Sequence, residues 1–143
     1  MNALFLGTGY WGRGSGTGPW FMGDFEAGVW AGGTGASNAV NNNLPSMTMN
    51  YAFGILKSRP NNYAIRVANA QTGSLTTAYD GATPTAFPSG QWSMDGGIIL
   101  GIGGDNSNHS TGTFLEGAIT AGRPTDATDA AVLQNVQATR YGM

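Results

Sequence analysis

Glycine interrupts this chain so often that long regular elements are ruled out over most of its length. The stretch Gly7-Thr-Gly-Tyr-Trp-Gly-Arg-Gly-Ser-Gly-Thr-Gly18 is the extreme case. Each glycine inside a helix costs about 1 kcal/mol relative to alanine, so such a run cannot be helical. Between the interruptions, apolar and polar residues alternate with a period of two, the pattern of half-buried strands. Met47, Met49, Tyr51 and Phe53 alternate with Thr48, Asn50 and Ala52. Tyr63, Ile65 and Val67 alternate with Ala64, Arg66 and Ala68. A chain of 143 residues with 24 glycines and 10% charged residues is no helical bundle. Its 41% hydrophobic content also argues against disorder. One turn-rich, all-β domain is expected.

Further strands are predicted at about Ala3 to Leu6, Trp20 to Trp30, Leu75 to Tyr79 and Thr113 to Thr120. The apolar run Ile98-Ile-Leu-Gly-Ile102 predicts a strand buried on both faces. Gly32 to Pro45, Lys57 to Asn62 and Asp80 to Ser93 read as loops or turns. The tail differs. Thr125-Asp-Ala-Thr-Asp129 offers capping residues and acids where a helix begins. Val132, Leu133 and Val136 then recur at helical spacing, predicting one short helix over about Asp126 to Ala138.

Several function classes fall away. The formal net charge is −2 and no basic cluster exists, so the footprint of a nucleic-acid binder is missing. There is no cysteine, hence neither a disulfide nor a thiolate metal site. The single histidine, His109, cannot form a histidine metal cluster. No metal and no cofactor is expected. No apolar run approaches the roughly 20 residues of a membrane-spanning helix. The first residues, Met1-Asn-Ala-Leu-Phe-Leu-Gly7, do not read as a signal peptide, so a soluble chain is expected. Gly14-Ser-Gly-Thr-Gly18 is not a phosphate-binding loop, because no Gly-Lys-Ser/Thr follows it.

Three of the eight acids stand out. Asp24 and Glu26 lie two apart on a predicted strand beside Trp20 and Met22, so both would project from one face. Burying two acids there is costly without a purpose. Asp105 ends the apolar strand in Gly103-Gly-Asp-Asn-Ser-Asn108, where glycines let a ligand or backbone approach closely. Retaining glycoside hydrolysis needs a carboxylate nucleophile and a carboxylic acid about 5–5.5 Å apart. The same residues have ordinary readings. An Asp-x-Glu pair can be a solvated strand face. Asp105-Asn-Ser-Asn can be a turn or part of a calcium loop. Trp11, Trp20, Trp30 and Trp92 are more often core than sugar platforms.

Longer strings go further than these residue types. Trp11-Gly12, Gly14-Ser-Gly-Thr-Gly-Pro-Trp20 and Met22-Gly-Asp-Phe-Glu-Ala-Gly28 resemble the active-site stretch of the arabinofuranosidase B family of glycoside hydrolases, family 54. The likeness continues through Asn62-Tyr-Ala-Ile-Arg66 and Gly73-Ser-Leu75. It is densest at Gly97-Ile-Ile-Leu-Gly-Ile-Gly-Gly-Asp-Asn-Ser-Asn108. It ends with Gly112-Thr-Phe-Leu-Glu-Gly117 and Thr125-Asp-Ala-Thr128. The resemblance implies a lectin-like (concanavalin-like) antiparallel β-sandwich with one short C-terminal helix. It also implies retaining removal of terminal α-L-arabinofuranosyl groups from plant-type polysaccharide. By position, Glu26 matches the nucleophile and Asp105 the general acid/base. Asp24 matches a carboxylate that holds the sugar, Trp11 an aromatic wall, and Gly104 a backbone contact beside the acid. Ala27 stands where the family has asparagine. The family places this stretch in the later half of its catalytic sandwich. The earlier half, with its adjacent cysteine pair, has no counterpart before Met1, so residues 1–143 are expected to form one domain truncated relative to the family.

A partial sandwich would expose apolar strand edges that invite pairing. A partner chain completing the sheet, a homo-oligomer, or a rebuilt compact sandwich is expected. An arabinose-containing glycan would be the ligand of the enzyme, which would be extracellular. The alternatives are a structural module, such as a virion decoration or fibre protein, and a glycan-binding module without turnover.

Overall fold

The computed structural model describes residues 3–8, 12–25, 28–85 and 111–143. Their order is β1 (Ala3–Gly7), β2 (Trp20–Asp24), β3 (Val29–Trp30), β4 (Ala52–Arg59), β5 (Asn62–Asn69), β6 (Thr76–Ala82) and α1 (Asp126–Ala138). The fold is mostly β, with two three-stranded antiparallel sheets, β1-β2-β3 and β4-β5-β6. Among the described residues no helix is long and apolar enough to cross a membrane.

Alternation dictates how the layers stack. On β5, Tyr63, Ile65 and Val67 point one way, and Ala64, Arg66 and Ala68 the other. Directly paired residues share a face, so Leu56 and Gly54 of β4 join Ile65 and Val67. This face meets Phe21, Phe25 and Trp30 in a core with Tyr63, Ile65 and Val67, and the same cluster continues to Trp20 and Met22 of β2. Each such fully buried side chain contributes roughly 1.5–3 kcal/mol. Phe21 of β2 lies against Gly54 of β4. A Cβ on Gly54 would lie 2.6 Å from its ring, so only glycine fits beneath it.

The opposite face of β5 carries α1. Lys57, paired with Ala64, shares that face with Arg66. Both cations are buried, and both meet the first turn of the helix. Asp129 Oδ2 accepts from Lys57 Nζ at 2.6 Å and from Arg66 Nη1 at 2.7 Å. Asp126 Oδ1 accepts from Lys57 Nζ at 2.7 Å. At the far end, Gln137 Nε2 donates to Asn69 O and Gly73 O. Leu133 and Val136 are buried between these two anchors. Thr125 caps the helix, its hydroxyl accepting from Thr128 N–H.

Four sequence expectations need correction. Trp20 to Trp30 is a hairpin rather than one strand: β2 ends at Asp24, and Val29 pairs back onto it. Gly28, at φ 150°, supplies the turn conformation. Met47 and Met49 precede β4 instead of opening it, because Met47 N–H bonds Pro19 O and its side chain enters the core. Lys57 is not in a turn. β4 continues through Arg59 and the chain reverses at Asn61, whose φ is 61°. Thr113 to Thr120 forms no strand. The helix falls where the sequence places it, and β1, β5 and β6 fall close to their expected positions. Ile98 to Ile102 lies outside the described residues.

Candidate active site

Asp24 is the acid of the expected site that the structure describes. It ends the central strand of the first sheet, paired to Ala3 on one side and Val29 on the other. It is only 4% exposed. Along β2 the side chains of Trp20, Met22 and Asp24 alternate with Phe21. Since Phe21 faces the second sheet, Asp24 belongs to the face turned away from it.

That outer face is floored by the glycine-rich loop. Trp20 Nε1 donates to Ser15 O at 2.8 Å, and Ser15 N–H donates to Leu44 O at 2.8 Å. Ser46 Oγ donates to Ser15 O and accepts from Gly18 N–H, both at 2.8 Å. Gly14 is required here, because a Cβ would meet Leu44 O at 2.1 Å and the Trp20 ring at 2.5 Å. The glycines therefore serve close packing of loop on indole, and no phosphate site is needed to explain them.

Just beyond Asp24 the chain turns, with Phe25 N–H donating to Gly28 O at 2.8 Å. An aromatic column backs this turn. Phe25 stacks on Trp30 at 5.9 Å and meets Tyr63 edge-on at 5.2 Å, and Tyr63 touches Tyr79 at 4.6 Å. Tyr63 donates its hydroxyl to Gly33 O at 2.8 Å. Burial, aided by neighbouring Tyr79, pushes its pKa far above the usual phenol range, so it remains a donor. Trp20 and Trp30 are thus core residues, the second bonding Gly35 O through Nε1.

Glu26, Asp105, Trp11 and Gly104 all lie outside the described residues, as do Ala27, Trp92 and His109. Among the described residues no three His, Cys, Asp or Glu side chains gather as metal ligands.

Sequence reasoning missed the Lys57–Arg66–Asp126–Asp129 cluster. Two cations and two carboxylates balance there, so it clamps the helix and does not attract an anion. Its signals were a lysine ending an apolar strand and acids at i and i+3 of a helix start. Hydrogen bonding from Lys57, then the charge of Arg66, hold the Asp126 carboxyl below its ordinary pKa. A second pairing joins Arg123 to Asp80 at 2.7 Å, and Arg123 also bonds Asn62.

The family model described as alpha-L-arabinofuranosidase B, catalytic, matches residues 1–142. This chain belongs to that family. It is 47% identical to a probable alpha-L-arabinofuranosidase B of Aspergillus clavatus, and 45% identical to an alpha-L-arabinofuranosidase of Hypocrea jecorina. All of this chain aligns in both cases, yet it spans about 28% of either relative. Two solved structures are similar over 98% of the chain and 29% of their own, each with a TM-score of 0.90. One is a glycoside hydrolase family 54 α-L-arabinofuranosidase soaked with a cyclic sulfate inhibitor, at 42% identity. The other is an arabinofuranosidase complexed with arabinofuranosyl-α-1,2-xylobiose, at 41% identity. These relatives are all named as arabinofuranosidases, and none lends support to a virion protein.

Proposed function

We propose that this chain forms a single β-sandwich domain that carries the carboxylates of a retaining α-L-arabinofuranosidase. The observation behind this reading is the match of residues 1–142 to the family's catalytic model, with enzymes of that activity as structural neighbours. In the proposed mechanism, Glu26 attacks the anomeric carbon of a terminal arabinofuranosyl group. Asp105 protonates the departing glycosidic oxygen, then takes a proton from the water that releases the sugar. Asp105 has to begin protonated, which partial burial and the charge of Glu26 would favour. Asp24 holds the sugar, Trp11 walls the pocket, and Gly104 offers a backbone contact beside the acid.

The burial of Asp24 on a central strand supports its share of this reading. An acid held there by strand pairing on both sides orients a substrate hydroxyl with little reorganisation. The aromatic column fixes Phe25, the residue before Glu26. The substrate class would be arabinose-bearing polysaccharide. Hydrolysis of an aryl α-L-arabinofuranoside is the test. Glu26→Gln should lower the rate at least about a thousandfold, as expected for loss of a nucleophile. Equal rates for wild type and variant would overturn the assignment.

A further inference from the structure

Asn41 is a half-buried loop residue whose polar groups are all engaged. Its backbone N–H donates to Arg13 O at 2.8 Å, and its carbonyl accepts from Leu44 N–H at 3.1 Å. Its side-chain Nδ2 donates to Ala31 O at 2.8 Å and to Ala78 O at 3.0 Å. Oδ1 accepts from Asn43 N–H at 3.0 Å. Two carbonyl acceptors fix the orientation of the amide, because a reversed amide would set oxygen against oxygen. Room for the amide depends on a glycine, since a Cβ on Gly32 would lie 2.5 Å from Nδ2. One side chain thereby joins the chain just past β3 to β6, the edge strand of the second sheet.

What Asn41 holds continues the first sheet beyond Asp24. Asp24 pairs with Val29 of β3. Val29 O in turn accepts from Gly12 N–H at 3.1 Å, and Arg13 bridges to Val40 in parallel. Gly12 fits tightly, because a Cβ would meet Ala31 N at 2.7 Å and Ser37 O at 2.8 Å. Gly12 and Asp24 thus flank Val29, two strand spacings or about 10 Å apart. Trp11, the proposed pocket wall, directly precedes Gly12 in the chain. Asn41 grips this row at two points, Arg13 and Ala31.

We infer that Asn41 is a positioning residue for sugar binding, which holds the Gly12–Arg13 segment, and with it the wall, at a set distance from Asp24. It acts through that segment and touches no substrate. Phe25, the residue before Glu26, is fixed separately by Trp30 and Tyr63. Loss of the Asn41 donors should therefore weaken ground-state binding more than the chemical step. For the identity of the sugar, this role rests on the proposed function.

Asn41→Asp keeps the size of the side chain and removes both donors. With an aryl α-L-arabinofuranoside, KM should rise at least about tenfold while kcat stays within about threefold. A purely structural role would do the reverse, since less folded protein lowers the apparent kcat and leaves KM alone. An unchanged KM would overturn the inference. Should Asn41→Asp not fold, Asn41→Ser keeps one donor and should still raise KM at least about threefold. Calorimetry of the same arabinoside on the Glu26→Gln chain separates this role from the catalytic assignment. There Asn41→Asp should raise Kd at least about tenfold, whether or not Glu26 proves to be the nucleophile. An equal Kd, or no binding to the Glu26→Gln chain, would overturn the role of Asn41. Hydrolysis untouched by Glu26→Gln would overturn the catalytic assignment alone.

Discussion

Two neighbouring stretches of this chain meet opposite fates. Residues 126–138 form a helix that buries Leu133 and Val136 against the second sheet. Residues 113–120 carry larger apolar side chains and leave them in solvent. Hydrophobicity therefore does not decide which of the two is covered. The helix has a receiving surface in the same chain, with Lys57 and Arg66 waiting for Asp126 and Asp129. The segment before it has no such surface among the described residues. Apolar surface drives burial without direction, and a matching polar frame decides where burial occurs.

The largest effect should come from breaking the helix clamp. Asp129→Ala leaves Lys57 and Arg66 buried without the carboxylate they share. The expected loss is about 3–5 kcal/mol in urea unfolding, the usual cost of removing one partner of a buried ion pair, with only the exposed Asp126 left to face both cations. A loss below about 1 kcal/mol would show that the polar frame is not what holds α1.

Leu133→Ala probes the apolar half of the same contact. It should cost about 2–5 kcal/mol, depending on how far the sheet and helix close over the cavity. Both variants should selectively speed amide exchange in α1 if the helix detaches as a unit.

Acid should loosen the clamp more gently. The folded-state pKa of Asp126 is lowered, so its stabilising share is fully present above the ordinary value of 3.8 and is lost as pH falls through the depressed one. Thermal stability should therefore decline as pH drops below about 4, and Asp126→Asn should flatten part of that decline. A variant with an unaltered acid profile would refute this contribution. The effect is expected to be small, because the Asp126 side chain is largely exposed.

Ile119→Ala should change least, by no more than about 0.5 kcal/mol, as for a largely exposed residue. A larger loss by thermal unfolding would mean that 113–120 is covered, and the contrast with α1 would fail.

The sequence made α1 legible because its signals are local. Thr125 caps it, acids open it, and its apolar spacing runs out near Ala138. β5 was legible for the same reason, with six alternating residues between turn formers. Lys57 was not. It stands before Ser-Arg-Pro, which reads as a turn, while its carboxylate partners lie 69 and 72 residues away. Thr113 to Thr120 shows the converse limit, since a strand pattern specifies a strand only when something pairs with it. The hairpin at Trp20 to Trp30 was hidden because apolar residues fill both arms and Gly28 alone marks the reversal. Near the candidate site, the burial of Asp24 was legible through its apolar neighbours. Glu26 and Asp105 also stand out as acids, but their roles, like Trp11 and Gly104, come only from longer strings, because an acid near glycines has many ordinary uses.

The contact between Phe21 and Gly54 has a consequence for that site. Phe21 and Asp24 share one five-residue strand. The depth at which the ring seats on Gly54 therefore sets the height at which the carboxylate is presented on the far side of the sheet. A single methyl at position 54 would act as a shim. It would shift Asp24 from the opposite side of the strand without touching the carboxylate itself.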